Sequence, residues 1–77
     1  LGPVHWKVLD SLFRQLDFVF ERQRGDHRVY RKPGVARPLV IPADSEIDTA
    51  IIKSNLRTAG ISRDRYFALL AGVRSAA

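Results

Sequence analysis

From Phe18 to Pro42 the chain has no room for a helix of useful length. Gly25-Asp26, Pro33-Gly34, Pro38 and Pro42 break it every few residues, because proline fixes φ and lacks an amide hydrogen while glycine favours turn conformations. The segments between the breaks are short and alternate. In "FVFERQR" Phe18 and Phe20 lie on one face and Val19 and Glu21 on the other, and "HRVYRK" is β-branched and aromatic, so both read as strands. Gly25-Asp26 joins them as a hairpin and Pro33-Gly34 is a second turn. "RPLVIP" is a third short strand, bracketed by prolines in the manner of a sheet edge. The pattern predicts a three-stranded antiparallel meander.

Helical periodicity flanks this stretch on both sides. In "PVHWKVLDSLFRQL" the residues Trp6, Leu9, Phe13 and Leu16 recur at steps of three and four, which is one face of an amphipathic helix. Pro3 is tolerated in a first turn, and Asp17 is expected to end the helix in a left-handed conformation. After the acidic loop "ADSEID", the spacing predicts a helix over 49–59 with Ile51, Ile52, Asn55, Leu56 and Ala59 in one stripe. Asp48 suits its N-cap and Gly60 the residue that closes it. A short extra helix follows Ser62, with Tyr66, Phe67, Leu70 and Val73 at helical spacing, and is expected to fray after Gly72. The order α-β-β-β-α with an appended helix belongs to the α+β class, a three-stranded antiparallel sheet covered by helices on one face.

Composition limits what such a chain can be. At 77 residues it is one small domain, since chains of this size support a single core. No apolar run approaches the roughly 18 residues of a membrane-spanning helix, and without cysteine neither a disulfide framework nor a thiolate zinc site is available. No continuous apolar segment of the signal-peptide kind is visible, so a cytoplasmic location is the default expectation. The chain contains no methionine, and residues 1–3 are set aside as a trimmed end or expression remnant.

The net charge is +5 and is unevenly placed. Arg22, Arg24, Arg28, Arg31, Lys32 and Arg37 stand against Asp26 alone, and Asp44, Glu46 and Asp48 follow. Arginine supplies most of the positive charge, and its planar fork suits bidentate phosphate contacts. Polyanion binding is one reading of this hairpin. A solvated basic hairpin that keeps the protein soluble is the other.

His27 follows the turn directly, inside that arginine cluster. Imidazole is the side chain most easily suited to proton transfer near neutral pH. RNA carries its own nucleophile in the 2′-OH, so its cleavage needs proton transfer, in-line geometry and positive charge on the developing phosphorane. A histidine among arginines meets those needs, although the same residue also fits an exposed strand position with no function. His5 has no basic cluster around it and reads as structural or exposed. Tyr30 could stack a base, or be a partly buried strand residue. The acidic loop has neither the twelve-residue calcium pattern nor a paired histidine, and capping and solubility account for it. No Gly-rich phosphate loop, G-x-S-x-G elbow or Cys-His pair occurs. No metal or other cofactor is expected.

Taken together, "RQRGDHRVYRKPG", "RPLVIP", "IIKSNLRTAGIS" and "YFALL" after a leading helix resemble the HicA family of toxin ribonucleases, from about Trp6 to Leu70. That family has a Gly-Ser-His turn, an apolar-aromatic strand, a strand ending in proline and a helix of the form x-K-S-x-L-x-x-A-G-(I/L). The resemblance implies a fold like the double-stranded RNA-binding domain over a single domain spanning 1–77. It implies metal-independent, ribosome-independent cleavage of mRNA, with the catalytic histidine at His27 and the turn glycine at Gly25. It also implies a cognate HicB-like antitoxin that covers the active site. Around His27, the residues Arg22, Arg24, Gly25, Arg28, Tyr30 and Lys32 are the expected RNA contacts.

Three positions depart from the family pattern. Asp26 stands where the family has serine, Pro42-Ala43-Asp44 lacks the second histidine that many members carry, and Asp17 replaces a glycine before the first strand. Two other functions fit the same residues. One is a catalytically silent RNA-binding module, and the other a protein-interaction domain whose basic face receives an acidic partner. The direction of His27 is left open by strand parity, because it shares a face with Val29.

Overall fold

A computed structural model describes residues 1–76. The elements run α1 (Trp6–Gln15), β1 (Val19–Arg24), β2 (His27–Arg31), β3 (Leu39–Pro42), α2 (Thr49–Ala59) and α3 (Arg63–Ala76). The strands form one antiparallel sheet in the order β1-β2-β3, which is the expected meander. Leu9, Leu12 and Phe13 of α1, Ile52 and Leu56 of α2, and Tyr66 and Leu70 of α3 share one core with Tyr30, Leu39 and Ile41 of the sheet. Tyr30 and Leu39 are register partners, and Ile41 lies two residues from Leu39 on the same face. All three helices therefore pack on one side, and the other side of the sheet is open.

The helix ends follow from local chemistry. Val4 is drawn into an isolated bridge with Ile47, so Pro3 lies outside the helix and not in its first turn. His5 becomes the N-cap, its Nδ1 accepting from the Lys7 amide at 3.1 Å. That bond satisfies one of the donors a helix start leaves free. Asp17 has φ 68° after α1 and Gly60 has φ 72° after α2, the left-handed stops anticipated from sequence. Asp48 occupies the N-cap of α2, but its carboxylate makes no capping bond. Its carbonyl instead accepts from Ile51 and Ile52.

The C-terminal helix departs further from expectation. It runs through Gly72 to Ala76 and is the longest helix of the fold, because Val73 still packs against the core and holds the later turns in place. Phe67, expected in its apolar stripe, is 39% exposed. Ser62 does cap the helix, its Oγ accepting from the Arg65 amide at 3.1 Å.

Asn55 is the one buried polar residue among those described. Its Oδ1 accepts from the Val40 amide and its Nδ2 donates to the Val40 carbonyl, both at 3.1 Å, with a further bond to the Ile51 carbonyl at 2.9 Å. The side chain thus takes the place of a missing fourth strand and satisfies the free edge of β3.

Candidate active site on the open sheet face

The Gly25-Asp26 loop is a two-residue hairpin turn between the register partners Arg24 and His27. Gly25 has φ 58° and Asp26 is not left-handed, which matches the II′ type that glycine at the first central position permits. Pro42 lies opposite His27 on the other side and has no amide to donate. The ladder is completed one residue further on, where the Ala43 amide donates to the Asp26 carbonyl at 2.5 Å. Both neighbours of β2 therefore hold the backbone at His27 in place.

Strand parity fixes where the side chains go. Tyr30 is fully buried between the rings of Phe13 and Phe20, so Tyr30 and Arg28 face the helices. His27, Val29 and Arg31, at alternate positions, face the open side. Val29 is still buried, but outside the core cluster. It lies across from Val40, which is 39% exposed, and from Arg22.

A β-bulge brings the arginines of β1 to the same side. Phe20 pairs with Tyr30 and Arg22 with Val29, so Glu21 is the extra residue. In a regular strand Phe20, Arg22 and Arg24 would share one face, and with Phe20 in the core both arginines would point at the helices. The inserted residue reverses the alternation. Arg22 and Arg24 therefore emerge on the open face, and Arg24 stands directly across from His27 at a cross-strand separation of about 5 Å between Cβ atoms. Glu21 pairs with Arg22 at 2.5 Å and also with Arg31. Arg24 has no ion-pair partner among the described residues. The His27 side chain is 61% exposed, and its Nδ1 lies 3.2 Å from Oδ1 of Asp26.

The opposite face holds a separate cluster. The Arg28 guanidinium lies 4.4 Å from the Trp6 ring and 4.1 Å from the Phe20 ring. It donates to the Tyr30 hydroxyl at 3.0 Å, to Gln23 Oε1 at 2.9 Å and to Asp10 Oδ1 at 3.4 Å. The Tyr30 hydroxyl donates to Asp10 at 2.5 Å, and Arg14 pairs with the same carboxylate at 2.9 Å. Burial alone would raise the Asp10 carboxyl. The bonds from Tyr30 and Arg14 and the charges of Arg14 and Arg28 outweigh it and hold that carboxyl below its ordinary value. Burial and the bond to Asp10 push the Tyr30 hydroxyl up to about 12.

A family model described as the HicA toxin of bacterial toxin-antitoxin systems matches residues 6–61. The chain belongs to the HicA toxin family. The match covers α1 through α2 and includes every residue of the basic hairpin, whereas α3 lies beyond it. Membership gives the chain a toxin role and implies an antitoxin partner. A search of curated proteins returned no match. No helix among the described residues is long and apolar enough to cross a membrane.

Within this HicA-family fold the sheet divides the residues that the sequence grouped together. Arg22, Arg24, Gly25 and His27 gather at the turn and the open face. Arg28, Tyr30 and Lys32 do not join them. Tyr30 has no exposed ring on which a base could stack. Arg28 is occupied in its aromatic cage, and the Lys32 ammonium lies 5.6 Å from the Phe18 ring. Sequence reading missed Glu21, whose role depends on the bulge, and Asp10. A signal for Asp10 was present: it falls four residues after Trp6 and three before Phe13, a carboxylate inside an apolar stripe that needs a buried partner.

Proposed function

We propose that this toxin is an endoribonuclease of mRNA in which His27 moves the proton and Arg24 and Arg22 hold the scissile phosphate. The observation that carries the reading is the pairing of His27 with Arg24 on an uncovered face. There a polyanion can reach both side chains at once. His27 takes the proton of the 2′-OH as that oxygen attacks phosphorus. The P–O5′ bond then breaks, leaving a 2′,3′-cyclic phosphate and a 5′-oxygen that takes a proton from water to become the 5′-hydroxyl, while His27 returns its proton to solvent. Arginine beside the phosphate stabilises the charge that grows on its oxygens. Nδ1 lies 3.2 Å from the Asp26 carboxylate, so Nε2 is the nitrogen assigned to the RNA. The nucleophile belongs to the substrate, so the scheme calls on no metal.

The test is incubation of purified protein with mRNA in EDTA beside its His27→Ala variant, read on a denaturing gel. Cleavage that survives chelation and disappears in the variant is the expected result. Equal cleavage by a folded His27→Ala protein would overturn the reading. A second reading, a silent RNA-binding module, draws on Asp26, whose carboxylate beside His27 repels an approaching phosphate. It predicts salt-dependent RNA binding with no product.

A further inference from the structure

We infer that this chain grips single-stranded RNA by its sugar-phosphate chain and is nearly blind to its bases, an inference that rests on the RNA-cleaving reading of the same face. The placement of the aromatic residues carries it. Phe13, Phe18, Tyr30 and Tyr66 are each no more than 3% exposed. Trp6 and Phe20 pack against the core on the helix side, with the Arg28 guanidinium over both rings. Phe67 is on α3, with the Arg63 guanidinium 5.7 Å from its ring. These are all the phenylalanine, tyrosine and tryptophan residues of the sequence, and none belongs to the open face of the sheet, where His27 is the proposed proton-transfer group and the one aromatic ring among the described residues.

That face presents arginines and valines. Arg22, Arg24 and Arg31 surround the apolar row Val19, Val29 and Val40. Stacking on aromatic rings is the usual way a protein surface holds unpaired bases, and reading of base edges uses amides and forks placed for the purpose. The nearest amide, Gln23, is committed to Arg28 and to the Gly25 carbonyl at 3.0 Å. Asn55 is buried on the edge of β3. What remains is three guanidinium groups, of which Arg22 and Arg31 have their forks held by Glu21, and charge of this kind contacts phosphates irrespective of sequence. Glu21 moderates this charge by occupying Arg22 and Arg31, so RNA must compete with it for two of the three guanidinium groups.

The test is fluorescence anisotropy with 2′-O-methylated 12-mers of U, of C and of A, and with an abasic 12-mer, across a KCl series. These probes lack the attacking hydroxyl and stay intact whatever His27 does. Affinities within about threefold for the three bases, retention of most of the binding by the abasic strand, and a slope of log K against log salt near −2 are expected for about three neutralised phosphates. Arg22→Ala and Arg24→Ala each weaken all strands alike and reduce the slope by about 0.7, and Glu21→Gln tightens all of them. A preference of about tenfold for one base, loss of the abasic strand, or no binding at all would overturn the inference. Unmethylated RNA of mixed sequence separates the two readings. Base-blind binding with intact RNA keeps this inference and removes the ribonuclease, whereas cleavage confined to one base step keeps the ribonuclease and removes this inference.

Discussion

Arg24 and His27 face each other across the first hairpin, separated in sequence only by the Gly25-Asp26 turn, and both side chains lie on the sheet face that no helix covers. Arg28, the next residue in the chain, points the other way into a cage of Trp6 and Phe20. Neighbouring arginines of one basic cluster therefore have different work.

Substituting them separates the two roles. Arg24→Ala is expected to lower RNA cleavage roughly tenfold or more with no change in the urea unfolding midpoint, because the side chain supports nothing else. Arg28→Ala is expected to destabilise the fold by about 2 kcal/mol through lost cation–π contact and hydrogen bonds. A folded Arg28→Ala protein at unchanged stability would refute the structural assignment.

Asp26 is expected to act on His27 by orientation. Asp26→Asn keeps the shape of the turn, removes the charge at 3.2 Å from Nδ1 and weakens its hold on the ring. Steady-state kinetics on a short RNA should show kcat falling by about threefold to tenfold. KM should fall as well, since a repulsive carboxylate has gone. A rise in kcat would show that the carboxylate hinders the imidazole and does not position it.

Asn55→Leu is the sharpest test of the sheet edge. It strips the Val40 amide and carbonyl of their only side-chain partner. The expected cost is about 2 kcal/mol in urea unfolding, accompanied by concentration-dependent association through the exposed β3 edge. An unchanged midpoint and a monomer in sedimentation would show that solvent replaces Asn55 without penalty.

The Asp10–Tyr30 pair sets the pH range of stability. Asp10 is held below the ordinary aspartate value of about 3.9. Its contribution is present above that value and is lost as the pH falls through the lowered folded pKa. Tyr30 is pushed up to about 12. Its contribution is complete below the ordinary tyrosine value of about 10 and is lost as the pH rises through about 12. Thermal melts across pH should therefore decline at both ends. Asp10→Asn flattens the acid decline and Tyr30→Phe the alkaline one, and melts of these variants that keep the parent's pH dependence would exclude this pair as its source.

Much of the architecture is legible in the sequence. Thr49–Ala59 matched its predicted span, because a clean helical stripe ended at a glycine free to adopt positive φ. The meander was forced by turns at Gly25-Asp26 and Pro33-Gly34. The C-terminal helix runs past the fraying expected at Gly72, since propensity there argues for an end while the packing of Val73 overrides it.

For the site, the sequence by itself determined the ingredients: a histidine after a hairpin turn, a run of arginines on both sides of it, and a glycine where the turn demands one. Only the tertiary structure decided which of those residues meet. Val29 and Tyr30 are adjacent and both apolar, so the local pattern of β2 fits either face equally well. Contacts with Asp10 and Phe13 on α1, distant in sequence, select Tyr30 for the core and leave His27 outside. The extra residue at Glu21 then reverses the parity of β1. A bulge leaves no mark in an alternating charged strand, because every position there tolerates solvent and only pairing with a partner strand counts the residues.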